Sequence, residues 1–416
     1  MQPNVIAAPQ LAAEGRRRIE WVQRNMPILR RLEARFAAER PFAGKRIAVC
    51  IHLEAKTAYL ALLLRAGGAN VAVTGSNPES TKDDVVAALA ADGLHVYARH
   101  GAPPEEMRRY MGLALEIAPH VVIDDGGDLV ELLHESHREY AREMLGACEE
   151  TTSGVLRARA RANAGQLRFP VVLVNDARCK YLFDNVHGTG QSVWDGVMRA
   201  TNLVLAGKTV VIVGFGWCGK GCAMRAQGLG ANVVVCEVDP IKAADALMHG
   251  CRVLPLANAC RIADVVLTVT GVRHSLRAEH FALLKDNVLL ANAGHFWEEI
   301  DVEALGQAAV ERKALRANVE GFRMRDGRWL NLLGGGNIVN ISCADGHPAE
   351  IMDMSFALQA LAALHVVEQR GSLAPGCYPV PPAIDEQVAR LKLAAAGIAI
   401  DTLTADQQAY LEHWRV

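Results

Sequence analysis

Between residues 10 and 40 the apolar positions Ile19, Trp21, Val22, Met26, Leu29, Leu32 and Phe36 are separated by charged ones. That spacing predicts a single amphipathic opening helix with an arginine-rich face in solvent. From Arg46 the rhythm changes. Short apolar runs at 47–51, 71–74, 96–98, 121–123 and 171–174 alternate with helical segments, the pattern of a parallel α/β sheet. A helix over 192–205 leads into further strands at 209–213, 233–236, 265–268 and 288–291, and so into a second such body. Past Asn340 the strand pattern stops, and 349–367 is helical. Pro375, Pro379, Pro381 and Pro382 mark a linker before two short C-terminal helices.

The two bodies differ at their first strand. Thr209–Val213 runs into Gly214-Phe-Gly216-Trp217-Cys218-Gly219, and Glu237 closes the next strand about 20 residues on, as a dinucleotide-binding βαβ unit requires. The first glycine permits the turn, the second admits the pyrophosphate, and the third lets helix pack on strand. Glu237 is expected to hold the ribose hydroxyls and to repel a 2′-phosphate, so the cofactor read here is NAD. The earlier body ends its first strand in Ile51-His52-Leu53-Glu54, with no glycines, and is read as the substrate half.

The predicted architecture is therefore α/β, with two Rossmann-like domains and a short helical C-terminal segment. The substrate domain is discontinuous, 1–185 and 346–376, around an inserted NAD domain at 186–345, with 377–416 as the C-terminal segment and hinges near 176–191 and 345–348. A chain of 416 residues is too long for one ordinary core. With 51% hydrophobic and 22% charged residues and a net charge of −2, it shows no electrostatic case for nucleic acid or an anionic membrane. No run approaches about 18 apolar residues. Ten cysteines without a C-x-x-C pair predict reduced thiols in a cytoplasmic protein. His134 and His137 stand at His-x-x-His spacing in an amphipathic stretch without a third ligand nearby, which predicts surface histidines and no metal site.

Several polar motifs fall in a fixed order around the glycine turn: His52, Asp124-Asp125-Gly-Gly-Asp128, Glu149-Glu150-Thr151-Thr152-Ser153-Gly154, Asn175 through Lys180 to Asp184-Asn185, Asn292-Ala293-Gly294-His295-Phe296, and Asn340 to His347. Together they resemble the S-adenosyl-L-homocysteine hydrolase family over nearly the full length. The segments His52-Leu-Glu54-Ala-Lys56-Thr57 and Gly188-Thr-Gly-Gln resemble its shorter, archaeal-type branch. The resemblance implies a nucleoside substrate, tightly bound NAD, and a homotetramer or homodimer. The ending Leu411 to Val416 lacks the tail that in the longer enzymes reaches a neighbour's cofactor.

The family's chemistry explains the residue types. Oxidising a 3′-hydroxyl to a ketone acidifies C4′, the 5′-substituent leaves by elimination, water adds, and the ketone is reduced. By resemblance Lys180 and Asp184 engage the 3′-hydroxyl, with the lysine pKa expected to be lowered by its surroundings. Glu150 binds the ribose, Asn185 places the sugar, and His52, Asp125 and His295 handle protons at C4′ and the leaving group. Glu54, Lys56, Thr57, Asp128, His347 and Met352 are expected to contact substrate. Thr151, Thr152, Ser153, Trp217, Cys218, Thr270, Ala293, Gly294 and Asn340 are expected to join the glycines and Glu237 at the cofactor.

The chain also departs from the family pattern. Glu54 and Lys56 stand where the longer branch reads adenine with threonine and glutamate, leaving adenine and hypoxanthine both open. Gly335, Asn337, Val186, His187 and Leu358 replace residues usual elsewhere, two arginines among them. If no amino-acid tail is bound, the same catalytic set would expel hydroxide and make a nucleoside dehydratase giving a 4′,5′-ene. An ordinary dehydrogenase and a non-catalytic regulatory homologue are the remaining rivals.

Overall fold

The computed structural model describes residues 3–295, 297–369 and 371–413. Phe296 of the Asn292 motif and Trp414 to Val416 of the chain's ending lie outside the described residues. Two eight-stranded sheets carry the fold, as the alternation predicts.

In the first sheet all strands are parallel, in the order Val5–Ile6, His95–Ala98, Asn70–Gly75, Arg46–Ile51, Val121–Asp124, Gly146–Glu149, Pro170–Leu173 and Gly376–Pro379. The chain winds outward in one direction from Arg46–Ile51 and in the other from Val121–Asp124. Their junction is a topological switch point, where the strands' carboxyl ends leave a crevice. The second sheet repeats the arrangement. Thr209–Val213 and Val265–Thr268 flank its switch point, and an antiparallel meander of Ala309–Arg316, Val319–Met324 and Trp329–Leu333 extends one side.

The meander is absent from the sequence expectation because its outer strand has no apolar period. Seven of the eight residues in Ala309–Arg316 are exposed, and Arg312–Glu320 and Arg323–Glu311 pair across the strands. Gly146–Glu149 escaped notice because a four-residue strand of Gly, Ala, Cys and Glu carries little β propensity of its own. The proline-rich segment is not a linker at its start. Gly376–Pro379 pairs with Pro170–Leu173 at the sheet edge, a place that tolerates proline.

The opening stretch is two helices, Ala12–Arg24 and Pro27–Glu39, not one. Proline is accepted at the first position of the second helix, and Asp353 caps it from across the core, accepting from Ile28 N at 2.9 Å and Leu29 N at 2.8 Å. The arginine face is only partly solvated. Arg18 reaches Asp84 at 2.7 Å, and Gly15 lies against the Asp84 carbonyl where a Cβ would not fit.

The helix Ala349–Gln369 is long and apolar enough to cross a membrane, although no uninterrupted run suggested it. Of its apolar window 78% is buried inside the protein, where it packs on the first sheet and the second helix. His134 is likewise buried and not a surface residue. Its Nδ1 donates to the Val130 carbonyl at 2.7 Å, Nε2 accepts from Arg168 N at 3.0 Å, and the ring lies 4.7 Å from Phe169. Both ring nitrogens are spent. All ten cysteines are free thiols.

Replacing Asp353 by alanine removes the acceptor of two buried backbone N–H groups. A loss of about 1–3 kcal/mol in urea-induced unfolding is expected, and an unchanged midpoint would show that the cross-core cap does nothing for stability.

Candidate active site

The two switch points open onto one cavity of about 1330 Å³. Every residue singled out above for substrate or cofactor lines it except two. Asp128 is turned onto Arg157 at 2.7 Å, off the cavity wall. Gly219 packs against the Gly214 carbonyl beneath the turn, where a Cβ would collide.

On the NAD side, Gly214 has φ +104°, a backbone region open chiefly to glycine, and the position a Cβ would take at Gly216 is empty space. The helix Trp217–Gly228 begins there without a side-chain cap, its first residues in the cavity wall, as suits a bound anion. Glu237 holds the turn by accepting from Phe215 N at 2.7 Å and from Val238 N and Asp239 N. Opposite, Glu299 accepts from Thr270 N, Thr270 Oγ1 and Gly271 N, and leaves no room for a side chain at Gly294. Ser153 Oγ and Asn340 Oδ1 are buried in the cavity wall without a protein partner. A concave glycine turn, a ribose-side carboxylate and unspent polar atoms opposite fit a dinucleotide.

On the substrate side the strand ends supply the acids and bases. His52 follows Arg46–Ile51, Asp125 follows Val121–Asp124, and Glu150 follows Gly146–Glu149. Beneath them the buried Asp124 and Glu149 carboxylates accept backbone N–H groups of Asp125, Val130, Gly126 and Thr151, which sets the two turns. Ser80 spends its one O–H on the Asn77 carbonyl at 2.9 Å, so the 2.7 Å contact from His52 Nδ1 is donated by the imidazole. Nε2 is then the lone-pair nitrogen of neutral His52, 3.5 Å from Asp125 Oδ2. Burial holds His52 below the usual histidine range, outweighing the pull of Asp125.

The densest charge lies between the domains. After Lys180 the chain widens into a π-helical turn, Tyr181–Gly188, which brings both the fourth and fifth following residues under the lysine. Lys180 Nζ donates to Asp184 Oδ1 and to Asn185 Oδ1, each at 2.9 Å, and lies 3.4 Å from Glu150 Oε1. His347 Nδ1 is 3.1 Å from the same Asp184 oxygen. Burial would lower the lysine, but Asp184 and Glu150 outweigh it, so Lys180 is held above its ordinary range rather than below it. That corrects the expectation of a depressed lysine: neighbouring carboxylates win over desolvation. Burial also works to raise Asp184, yet Lys180 and His347 hold it ionised. Burial pushes Glu150 up to about 7 against the pull of Lys180.

Ser76, Ser80, Ser355 and Gln359 also touch the acids and bases here, and sequence reading missed them. The last two had a usable signal. They are polar residues four apart in a helix that is otherwise apolar nearly all round.

Comparison with known proteins agrees with this geometry. Residues 4–141 match the family described as S-adenosyl-L-homocysteine hydrolase, and residues 185–346 match the NAD binding domain of S-adenosyl-L-homocysteine hydrolase. The adenosylhomocysteinase of Pyrococcus abyssi is 54% identical over 405 residues, covering 97% of this chain and 96% of its own length. That of Aquifex aeolicus is 49% identical over 98% of this chain and 97% of its own. The S-inosyl-L-homocysteine hydrolase of Methanopyrus kandleri is also 49% identical, with the same coverage.

A carboxyl raised on folding adds stability below its unfolded pKa and loses it as pH climbs through the folded one. Glu150→Gln should therefore gain in melting temperature relative to the parent as pH rises from about 4.5 to about 7. A difference that stays flat across that window in thermal scans would contradict the assignment.

Proposed function

The chain belongs to the S-adenosyl-L-homocysteine hydrolase family, and on that footing we propose that it splits the thioether of a purine nucleosyl homocysteine. It is an enzyme with NAD as its cofactor. The proposed sequence is oxidation at C3′, elimination at C5′, addition of water at C5′ and reduction. One observation carries this reading: the Lys180–Asp184–Glu150 cluster and the His52–Asp125 pair face one cavity with the glycine turn.

Gly214, Gly216, Trp217 and Cys218 would hold the pyrophosphate side of NAD and Glu237 the adenosine ribose. Thr151, Thr152, Ser153, Thr270, Ala293, Gly294 and Asn340 would hold the nicotinamide side. NAD held there would supply the hydride-transfer chemistry at C3′. Lys180 rests as an ammonium, so it can take the 3′-hydroxyl proton only by handing one on. Glu150 Oε1, 3.4 Å away and poised near neutrality, is the group that receives it. Asp184 keeps Lys180 aimed, and Asn185 orients the sugar. His52 Nε2, with Asp125 beside it, takes the C4′ proton, and His52 and His295 serve the leaving sulfur and the incoming water.

Glu54 and Lys56 stand 2.8 Å apart, and Lys56 also donates to the Asp345 carbonyl. That wall offers an acceptor to a 6-amino group and a donor to a 6-oxo group, so both adenine and hypoxanthine nucleosides are proposed substrates. Apart from Glu54 and Lys56, the departures from the family pattern, Gly335, Asn337, Val186, His187 and Leu358, do not line the cavity. This favours retention of the homocysteine-releasing reaction.

Incubation with S-adenosylhomocysteine or S-inosylhomocysteine should release thiol and free nucleoside at about 1–10³ s⁻¹, and unsubstituted purine nucleosides should lose no water. Loss of one water from a nucleoside, without thiol release from either thioether, would overturn the reading in favour of a dehydratase.

The substrate half, 1–185 with 346–376, and the NAD half, 186–345, are proposed to close on each other about 176–191 and 345–348; of the C-terminal segment 377–416, residues 377–379 belong to the edge strand of the first sheet. Closure would shield the keto intermediate from water. An assembly of two or four copies is proposed on the family membership. Solution scattering should give a larger mass than one chain and a compaction on adding a nucleoside analogue. A single-chain mass, or identical curves with and without the analogue, would remove the corresponding part of the proposal.

A further inference from the structure

The helix Ala349–Gln369 meets the catalytic carboxylates from below the cavity floor. Met352 and Phe356 line the cavity, while Ser355 and Gln359, four residues apart and so one turn apart on the same face, are wholly buried beneath it. Ser355 Oγ donates to Asp184 Oδ2 at 2.6 Å, and Gln359 Nε2 donates to Glu150 Oε2 at 2.5 Å.

Each contact takes one oxygen of its carboxylate and spares the other. Asp184 Oδ1 is the oxygen that meets Lys180 and His347. Glu150 Oε1, which has no hydrogen-bond partner, is the oxygen facing Lys180. Gln359 Oε1 is also buried without a partner. An amide has a donor and an acceptor at opposite edges. With Nε2 on Glu150 it donates to an ionised carboxylate; turned over, it accepts from a protonated one. An aliphatic side chain in this place could do neither.

Resting on the function proposed above, we propose that Ser355 and Gln359 are positioning residues. They fix which oxygen of Asp184 and of Glu150 faces Lys180, and Gln359 stays bonded to Glu150 in both of its protonation states. The charges that face Glu150 are Lys180, just before the π-helical segment, Asp184 within it, and Asp125 from the neighbouring strand end; the long helix contributes the neutral Gln359. Of the two bonds, the one donated to the ionised carboxylate is charge-assisted and the stronger, so removing Gln359 raises the proton affinity of Glu150.

The test uses the holoenzyme with its NAD, following nicotinamide absorbance in a single turnover with S-adenosyl- or S-inosylhomocysteine from acid to alkaline pH. Gln359→Met keeps the volume and loses the donor. The acid limb of the rate should move up by about one pH unit, which is about a tenfold slower reaction on the acid side and a near-parental one on the alkaline side. Ser355→Ala should lower kcat with little change in KM, and Ser355→Thr, which keeps the hydroxyl, should restore it.

Bound NAD and circular dichroism should be unchanged in each variant. If Gln359→Met does not fold, Gln359→Asn, too short to reach Glu150, replaces it. A uniform loss at every pH with the acid limb in place would make Gln359 a packing residue. Equal losses for alanine and threonine at 355 would do the same for Ser355. Should the parent itself reduce no NAD with either thioether, the function reading fails. The positioning role of Gln359 is then read from melting temperature against pH, where Gln359→Met should shift the loss of stability assigned to Glu150 to higher pH, and an unshifted profile would overturn it.

Discussion

Everything in the cavity is arranged around a lysine ammonium that the fold buries with two carboxylates. Taking such charges out of water is costly unless each finds partners of good geometry, and removing one partner of a buried set typically costs about 3–5 kcal/mol. Lys180 meets that condition with groups from separate parts of the chain. Asp184 and Asn185 come from the widened turn that follows it, and Glu150 comes from a strand end of the first sheet. The outer oxygens of the two acids are taken up by the long helix, and His347 closes on Asp184 from the segment after the second domain. The cluster is therefore also the joint between the two sheets.

The joint explains the close backbone approaches around it. Gly221 on the helix after the glycine turn lies against the Val186 carbonyl, and Gly190 lies against Gly221, so neither position has room for a Cβ. Tyr181 stacks on Trp217 with centroids 4.5 Å apart, linking the widened turn to the start of the cofactor helix. A side chain grown at either glycine would push the cofactor turn away from Lys180. The glycines at 214 and 216 thus answer to the cofactor, and those at 190 and 221 answer to the joint.

Charge balance also divides the labour among the acids and bases. Lys180 and Asp184 reinforce each other's charged forms and are poor reservoirs for a moving proton. Glu150 and His52 are different, because burial pushes the carboxylic acid up to about 7 and holds the imidazole below the usual histidine range, so that neither keeps its charge firmly. A site that must remove a proton and later return it at constant pH needs groups of the second kind, held in place by groups of the first.

Much of this was legible in the chain itself. Alternating apolar runs determine two parallel α/β bodies, since period and length leave few other ways to bury them. The glycine turn with Glu237 determines the NAD side, because the chemistry of a pyrophosphate demands that spacing. Resemblance brought His52, Asp125, Glu150 and Lys180 to notice. Their joint geometry was decided only by tertiary structure. No local pattern tells that Asp128 turns to Arg157, that His134 is buried with both nitrogens used, or that a charged ribbon at 309–316 pairs as a strand. Nor could a residue-by-residue reading of Lys180 say whether burial or its neighbours would set its charge. That sign depends on Glu150, 30 positions earlier in the chain, and on Asp184 being held by Ser355 and His347 from segments more than 150 positions later. Sequence determines which groups a chain owns; folding decides which of them share a low-dielectric space, and electrostatics there falls off with distance in space and not along the chain.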